Sequence, residues 1–250
     1  MKLNSNCIRI IIFTSLCALF LIHSSNLHAQ IEDEEITRQL WLDYNAKYHV
    51  SREFKIYGDA GYRRISPDIW TRYYIRPAIS YLQRLQTKSG KYISITYHFG
   101  IGAFFTNYTN ISNNLEVRPF QGVDLQWPTF KQLQINHYVR LEEQFEYMNN
   151  DWVFGLRGRY MISGVYHWSK EDWNKLNNFY LPFHTEFFWN ITSTNLNNDL
   201  IRITPGLGYT FNLKWKMEFS ISYHRTRITI DDNFETNDIV FRIRIFQNIL

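Results

Sequence analysis

The chain has 250 residues, of which 27 are Lys or Arg, 23 are Asp or Glu, and 18% are Phe, Tyr or Trp. A net charge of +4 over this length excludes the strongly basic footprint of a nucleic-acid-binding protein. The length is typical of one domain, and the high aromatic content is accompanied by a negative mean hydropathy of -0.35.

The first 29 residues have the pattern of a secretory signal peptide. Lys2 and Arg9 supply positive charge, residues 10–22 are almost wholly apolar, and Ala29 is a small residue before the predicted cleavage site. An N-terminal membrane anchor is the alternative, and it is weaker because the apolar run is short for a spanning helix. Cleavage removes two cations, which lowers the net charge from +4 to +2. It also removes Cys7 and Cys17, so the mature chain would have no thiol for disulfides or Cys-based sites.

Residues 30–37 form a short acidic leader, and residues 38–250 are predicted to form one barrel domain. No apolar run after residue 29 approaches the ~20 residues of a membrane helix. Only helices and closed barrels satisfy every backbone polar group in lipid, so a membrane-embedded mature chain would be a barrel.

Residues 133–146 show the repeating unit most clearly. Ile135 and Val139 alternate with polar residues such as Arg140 and Glu142, which is the period of a β-strand with two unlike faces. The polar face contains Arg, Glu, Gln and Asn rather than Lys, and the strand is longer than a soluble sheet usually needs. A strand with lipid outside and a polar lumen inside fits this pattern better than a soluble sheet.

The same alternation recurs along the chain. Eleven segments show it, at residues 38–50, 54–65, 70–85, 92–105, 115–127, 133–146, 152–168, 179–190, 200–211, 214–227 and 238–247. Bacterial single-chain barrels have an even number of strands, so we expect ten or twelve, with twelve preferred. The predicted fold class is therefore all-β, a transmembrane antiparallel up-and-down barrel.

Charged residues on the inward parity form the candidate site. They are Arg63, Arg76, Glu116, Arg118, Arg140, Glu142, Arg157, Arg159, Glu186, Arg202, Arg242 and Arg244. Guanidinium groups form bidentate, partly buried pairs with carboxylates better than ammonium groups do. Three interpretations stay open: an ionic network that braces a small lumen, an anion-preferring narrow pore, and a binding cavity of unknown ligand.

No constellation points firmly to catalysis, and we predict that the protein is not an enzyme. An outer-membrane phospholipase would place Ser and His on neighbouring lipid-facing strands; His137 faces outward, but the strands predicted beside it have no outward serine. Ser222 and His224 share an inward face without a matched acid. His98 and His184 have no second His two residues away, so neither a metal nor a cofactor is predicted. A phospholipase-like hydrolase and a soluble periplasmic β-sandwich or lipocalin-like binder are the alternatives.

Short motifs along the barrel region match a known family pattern. They are Gly61-Tyr62-Arg63-Arg64, Tyr74-Ile75-Arg76-Pro77, Arg118 with Gln121, Arg140-x-Glu142 and Phe154-Gly155-Leu156-Arg157-Gly158-Arg159. In these the chain resembles an uncharacterised outer-membrane β-barrel family, a domain of unknown function of Gram-negative Bacteroidota, from about Trp41 to Phe246. Family members often continue the Arg-x-Glu motif with Gln-Arg, where this chain has Glu143-Gln144.

The resemblance implies a barrel in the cell outer membrane and implies no activity. Outer-membrane lipid and, during biogenesis, the barrel-insertion machinery are then the expected partners. Nucleic acid is not expected, and small solutes or anions are the candidate ligands.

Overall fold

A computed structural model describes residues 36–66, 70–88, 90–109, 113–148, 150–168, 178–192, 200–227 and 235–249. The predicted signal peptide, most of the acidic leader and both cysteines lie outside the described residues. In this part of the chain, no helix is long and apolar enough to cross a membrane.

The described residues form eleven β-strands. In chain order they are β1 Ile36–His49, β2 Phe54–Ser66, β3 Trp70–Gln86, β4 Tyr92–Tyr108, β5 Asn114–Gln126, β6 Leu133–Met148, β7 Asp151–Tyr166, β8 Asn178–Asn190, β9 Leu200–Thr210, β10 Trp215–Arg227 and β11 Glu235–Ile249. Each predicted segment corresponds to one strand, and the bounds differ by at most three residues. Period-2 alternation therefore located every strand that the structure describes.

The strands close into a single barrel, which confirms the all-β barrel fold class. Consecutive strands are antiparallel neighbours, and β1 pairs with β11 to close the sheet. The expected even number of strands is wrong, because the described chain has eleven. With an odd number of strands, the first and the last strand run in the same direction. The closing pair is accordingly parallel, from Ile36↔Asn237 to Tyr48↔Ile249. A parallel ladder also pairs the backbone groups, with slanted hydrogen bonds, so closure leaves no open edge among the eleven described strands.

The sheet has apolar side chains on its outer face and polar side chains on its inner face, the reverse of the arrangement in a soluble protein. On β6, the outward side chain of Val139 is 52% exposed, whereas the inward side chain of Glu142 is 0% exposed. Other outward apolar side chains are exposed along the barrel wall: Leu40, Leu42, Ile56, Ile75, Ile79, Phe99, Ile101, Ile203, Phe219, Ile221 and Phe241. The charged side chains are therefore in the interior, and a belt of apolar side chains is on the outer surface.

The two ends of the barrel are defined by the chain direction. We call the end at which β1 begins the N-terminal end, and the end at which β1 and β11 finish the C-terminal end. Outward aromatic pairs occur at both: Tyr147 packs on Trp152 at the N-terminal end, with ring centroids 5.2 Å apart. Phe54 packs on Tyr81 at the C-terminal end, at 4.9 Å. Aromatic rings thus flank the apolar belt on both sides.

Inward glycines make room for inward aromatic rings. Gly61 lies opposite Tyr74 on β3, and Gly100 lies opposite Phe120 on β5. A Cβ added at Gly100 would lie 2.6 Å from a carbon of the Phe120 ring. The missing side chains let the rings lie against the opposite backbone, which fills a narrow interior.

Candidate functional site

Glu142 of β6 is the centre of the largest ionic cluster in the lumen. Arg157 lies directly opposite it on β7 and donates from Nε to Oε2 at 2.8 Å. Arg140 precedes it by two residues on the same face and contacts its other oxygen, and Arg118 Nη1 lies 3.4 Å from Oε2. Arg118 also donates from Nε to Glu116 Oε1 at 2.7 Å. A fully buried carboxylate requires such partners, because the burial of an isolated charge is costly.

The Asp59–Arg76 pair is the clearest bidentate contact. The two residues lie directly opposite each other on β2 and β3. Arg76 donates from Nε to Oδ1 at 2.9 Å and from Nη2 to Oδ2 at 2.7 Å. Two parallel hydrogen bonds between planar groups fix both side chains across the strand pair.

Two further carboxylates, Glu186 and Glu218, pair with arginines across strands. Glu186 of β8 contacts Arg159 of β7, and Arg202 Nη1 lies 3.5 Å from its Oε2. Glu218 of β10 lies opposite Arg244 of β11, whose Nη2 is 2.9 Å from Oε2. The Glu186 pairs link β7, β8 and β9, and the Glu218 pair links β10 and β11.

Asp43 of β1 links the parallel closing pair to the interior. It contacts Arg242 of β11 and accepts a hydrogen bond from the Tyr74 hydroxyl at 2.7 Å. Arg63 of β2 lies over the Trp41 ring, with Cζ 4.0 Å from the ring centroid, and also faces the ring of Tyr74. All twelve predicted residues thus lie in the lumen, eleven in ion pairs and Arg63 against aromatic rings.

Inward aromatic side chains complete the network, of which the sequence pattern predicted only the charged members. Trp41 is buried and faces three guanidinium groups, those of Arg63, Arg202 and Arg242. The ring centroid of Phe188 lies 4.6 Å from Cζ of Arg202, and the same ring faces Arg157 and Arg159 of β7. Strand parity was the available signal, because these rings alternate in step with the charged residues.

A cavity of about 1020 Å³ occupies the C-terminal half of the lumen. We call it the vestibule; Lys47, Lys55 and Lys216 line it near the C-terminal end, and Arg140 and Glu186 line it more deeply. Residues of the β9–β10 turn and the end of β11 also border it. The vestibule therefore meets solvent at the C-terminal end of the barrel.

The N-terminal half of the lumen is filled by side chains. Phe104, Glu116 and Gln144 are buried there, with exposed fractions of 2%, 6% and 3%, and the vestibule does not reach them. Gln144 donates to Glu116 Oε1 at 2.8 Å, and Phe104 lies 4.4 Å from Arg118 Cζ. The described lumen is thus a cavity that opens at the C-terminal end and is closed toward the N-terminal end by a packed layer of charged and aromatic side chains.

His137 lies on the outer surface among aromatic rings. Its Nδ1 is 2.8 Å from the Tyr160 hydroxyl, and its ring makes an edge contact with Trp127. This group lies near the C-terminal end of the barrel, four residues from the start of β6. Among the described residues, no group of three or more His, Cys, Asp or Glu side chains could hold a metal ion.

Comparison with known proteins places the chain in one family. Residues 38–245 match the family described as "Protein of unknown function (DUF2490)". No curated protein and no solved structure matches the chain. Because the match covers most of the sequence, the chain belongs to this family.

Proposed function

We propose that this member of the DUF2490 family is an exported outer-membrane β-barrel with a closed lumen. The proposal assigns its exterior to lipid and its ionic interior to bracing the barrel, so that it does not act as an open pore. Export through the signal peptide and assembly by the barrel-insertion machinery are parts of the same proposal.

The observation that carries the proposal is the exposed apolar belt around a charged interior. On β3, Ile75 is 59% exposed and Ile79 is 55% exposed, whereas the inward Tyr74 and Ala78 are each 5% exposed. A large exposed apolar surface is unfavourable in water and marks contact with lipid or a partner. A belt that continues around a closed barrel favours lipid.

The spacing of the outward aromatic residues is similar to the thickness of the apolar part of an outer membrane. Tyr73 and Tyr81 bound the apolar belt on β3, and both contact outward aromatic rings of β2. Eight residues of strand cover roughly 26 Å, or about 20 Å with a tilt of about 40°. This is close to the ~25 Å apolar band of outer-membrane barrels.

A charge scan of the belt tests the proposal. Ile75→Lys places an ammonium group inside the belt, two residues from Tyr73, and Leu213→Lys places one in the β9–β10 turn, at a residue that is 68% exposed. We expect Ile75→Lys to destabilise the barrel in lipid vesicles by about 1–3 kcal/mol, between the midplane and interface values, and Leu213→Lys to have an effect near zero. Urea titration of the vesicle-inserted protein, followed by its heat-modifiable gel migration, measures both.

Solubility provides the opposing outcome. A soluble periplasmic binder would stay folded without detergent and would tolerate Ile75→Lys as well as Leu213→Lys. Full solubility of the folded wild-type chain in buffer alone would therefore refute the membrane location.

A further inference from the structure

We propose that the vestibule binds a small multivalent oxyanion, one that carries phosphate or several carboxylate groups. The inference requires the closed barrel and its vestibule, and it does not require the membrane location proposed above.

The charge of the vestibule is the first argument. Eight Lys and Arg side chains line it, against four Asp and Glu side chains. The described lining therefore has an excess of four positive charges, two of which are balanced by the buried carboxylates of Glu142 and Asp43 behind it, the partners of Arg140 and Arg242. Such an excess in a concave, low-dielectric site attracts anions more strongly than the same charges on an open surface.

None of the three lysines near the C-terminal end forms an ion pair within 4.0 Å among the described residues, although Lys55 is attracted to the Asp124 carboxylate over a longer distance. Lys47 lies on β1, Lys55 on β2 and Lys216 on β10. Lys216 lies opposite Phe246 on β11, and Phe246 lies opposite Asn45, two residues from Lys47. The lysines thus surround one side of the opening, and a shared anion would offset their mutual repulsion.

The deeper lining also has guanidinium donors that its own carboxylates do not use. The Nε atoms of Arg140, Arg159 and Arg244 have no hydrogen-bond partner among the described residues. Each of these arginines pairs with a carboxylate through its terminal nitrogens only. These Nε atoms are buried, so an oxyanion in the vestibule would meet the terminal nitrogens of these arginines instead.

The ordered wall of the vestibule and its volume limit the size of the anion that it could bind. His98 lies between the rings of Tyr57 and Tyr138, at 5.5 Å from each, and is held by Ser80 Oγ at 3.0 Å from Nδ1. A volume of about 1020 Å³ is at the upper end of the range for small-molecule sites. A metabolite-sized anion fits these dimensions, and a macromolecule does not.

Calorimetric titration of the purified full-length barrel with pyrophosphate tests the inference, and citrate in a second titration distinguishes phosphate from carboxylate chemistry. We expect at least one of them to bind at low salt and binding to weaken severalfold in about 0.5 M NaCl. Lys47→Gln, Lys55→Gln and Lys216→Gln should each weaken binding about fivefold.

Lys214→Gln is the matched control, because this lysine is exposed in the β9–β10 turn and does not line the vestibule. It should change the affinity by less than about twofold. Heat-modifiable migration verifies that each variant is folded. Binding of neither anion by the wild-type protein would overturn the inference, as would an equal loss of affinity in Lys214→Gln. Both outcomes are independent of detergent dependence, so they differ from a failure of the proposed membrane location.

Discussion

At the scale of single residues, Glu142 and Glu143 show how strongly the face of a strand decides the role of a side chain. Glu142 is 0% exposed and contacts three guanidinium groups, whereas its neighbour Glu143 points to the opposite face of β6. Removal of one partner from a buried ionic cluster leaves uncompensated charge, which is much more costly than loss of an exposed pair.

We expect Glu142→Gln to destabilise the barrel by about 3–5 kcal/mol, because Arg118, Arg140 and Arg157 lose their shared carboxylate. Glu143→Gln makes the same chemical change on the outward face and should cost less than about 0.5 kcal/mol. Urea unfolding followed by tryptophan fluorescence measures the two free energies. Equal stability of the two variants would show that the lumen cluster does not brace the fold.

At the scale of elements, the parallel contact between β1 and β11 is the least usual part of the barrel. Its register keeps a constant offset, so Leu40 is opposite Phe241 and Tyr44 is opposite Ile245. An antiparallel pair centred on the first of these contacts would place Tyr44 opposite Asn237 instead. The two arrangements therefore predict different crosslinks.

Cysteine pairs test this register in a background where Cys7 and Cys17 are replaced by Ser. We expect disulfides in Leu40→Cys/Phe241→Cys and in Tyr44→Cys/Ile245→Cys, because opposite residues have suitable Cα separations. Tyr44→Cys/Asn237→Cys should not crosslink. Non-reducing gel migration of the oxidised protein reads out each pair, and a crosslink in the third variant would contradict the parallel closure.

At the scale of the whole molecule, the filled N-terminal half of the lumen bears on transport. Phe104 and Glu142 are almost wholly buried, and the vestibule ends above the layer that contains Glu116 and Gln144. The guanidinium groups that a pore would offer to anions are occupied by carboxylates and aromatic rings. The excess of positive charge is therefore available only from the C-terminal end.

We expect the wild-type barrel to show no stepwise ion conductance in a planar bilayer, because the described residues leave no continuous aqueous path through the packed layer. Co-flotation of the protein with lipid vesicles confirms insertion in the same preparation. A steady conductance with anion selectivity would contradict the closed lumen and favour the narrow-pore interpretation.

The sequence by itself determined the strands, their inward and outward faces, and the residue types of the lumen. Alternation along residues 133–146 already separated Val139 from Arg140 and Glu142, because side-chain direction in a strand depends only on position along the chain. It also identified eleven segments, which the even-number rule then turned into a wrong expectation of ten or twelve.

Only the tertiary structure decided how these strands close and which charges meet. Arg157 faces Glu142 because of the β6–β7 register, and Arg242 reaches Asp43 because β11 closes on β1, 199 residues away in the chain. Neither the contacts of Trp41 with three arginines from other strands nor the one-ended vestibule follows from alternation alone. The physical reason is that strand faces are a local property, whereas register, closure and filling of the lumen depend on contacts between distant parts of the chain.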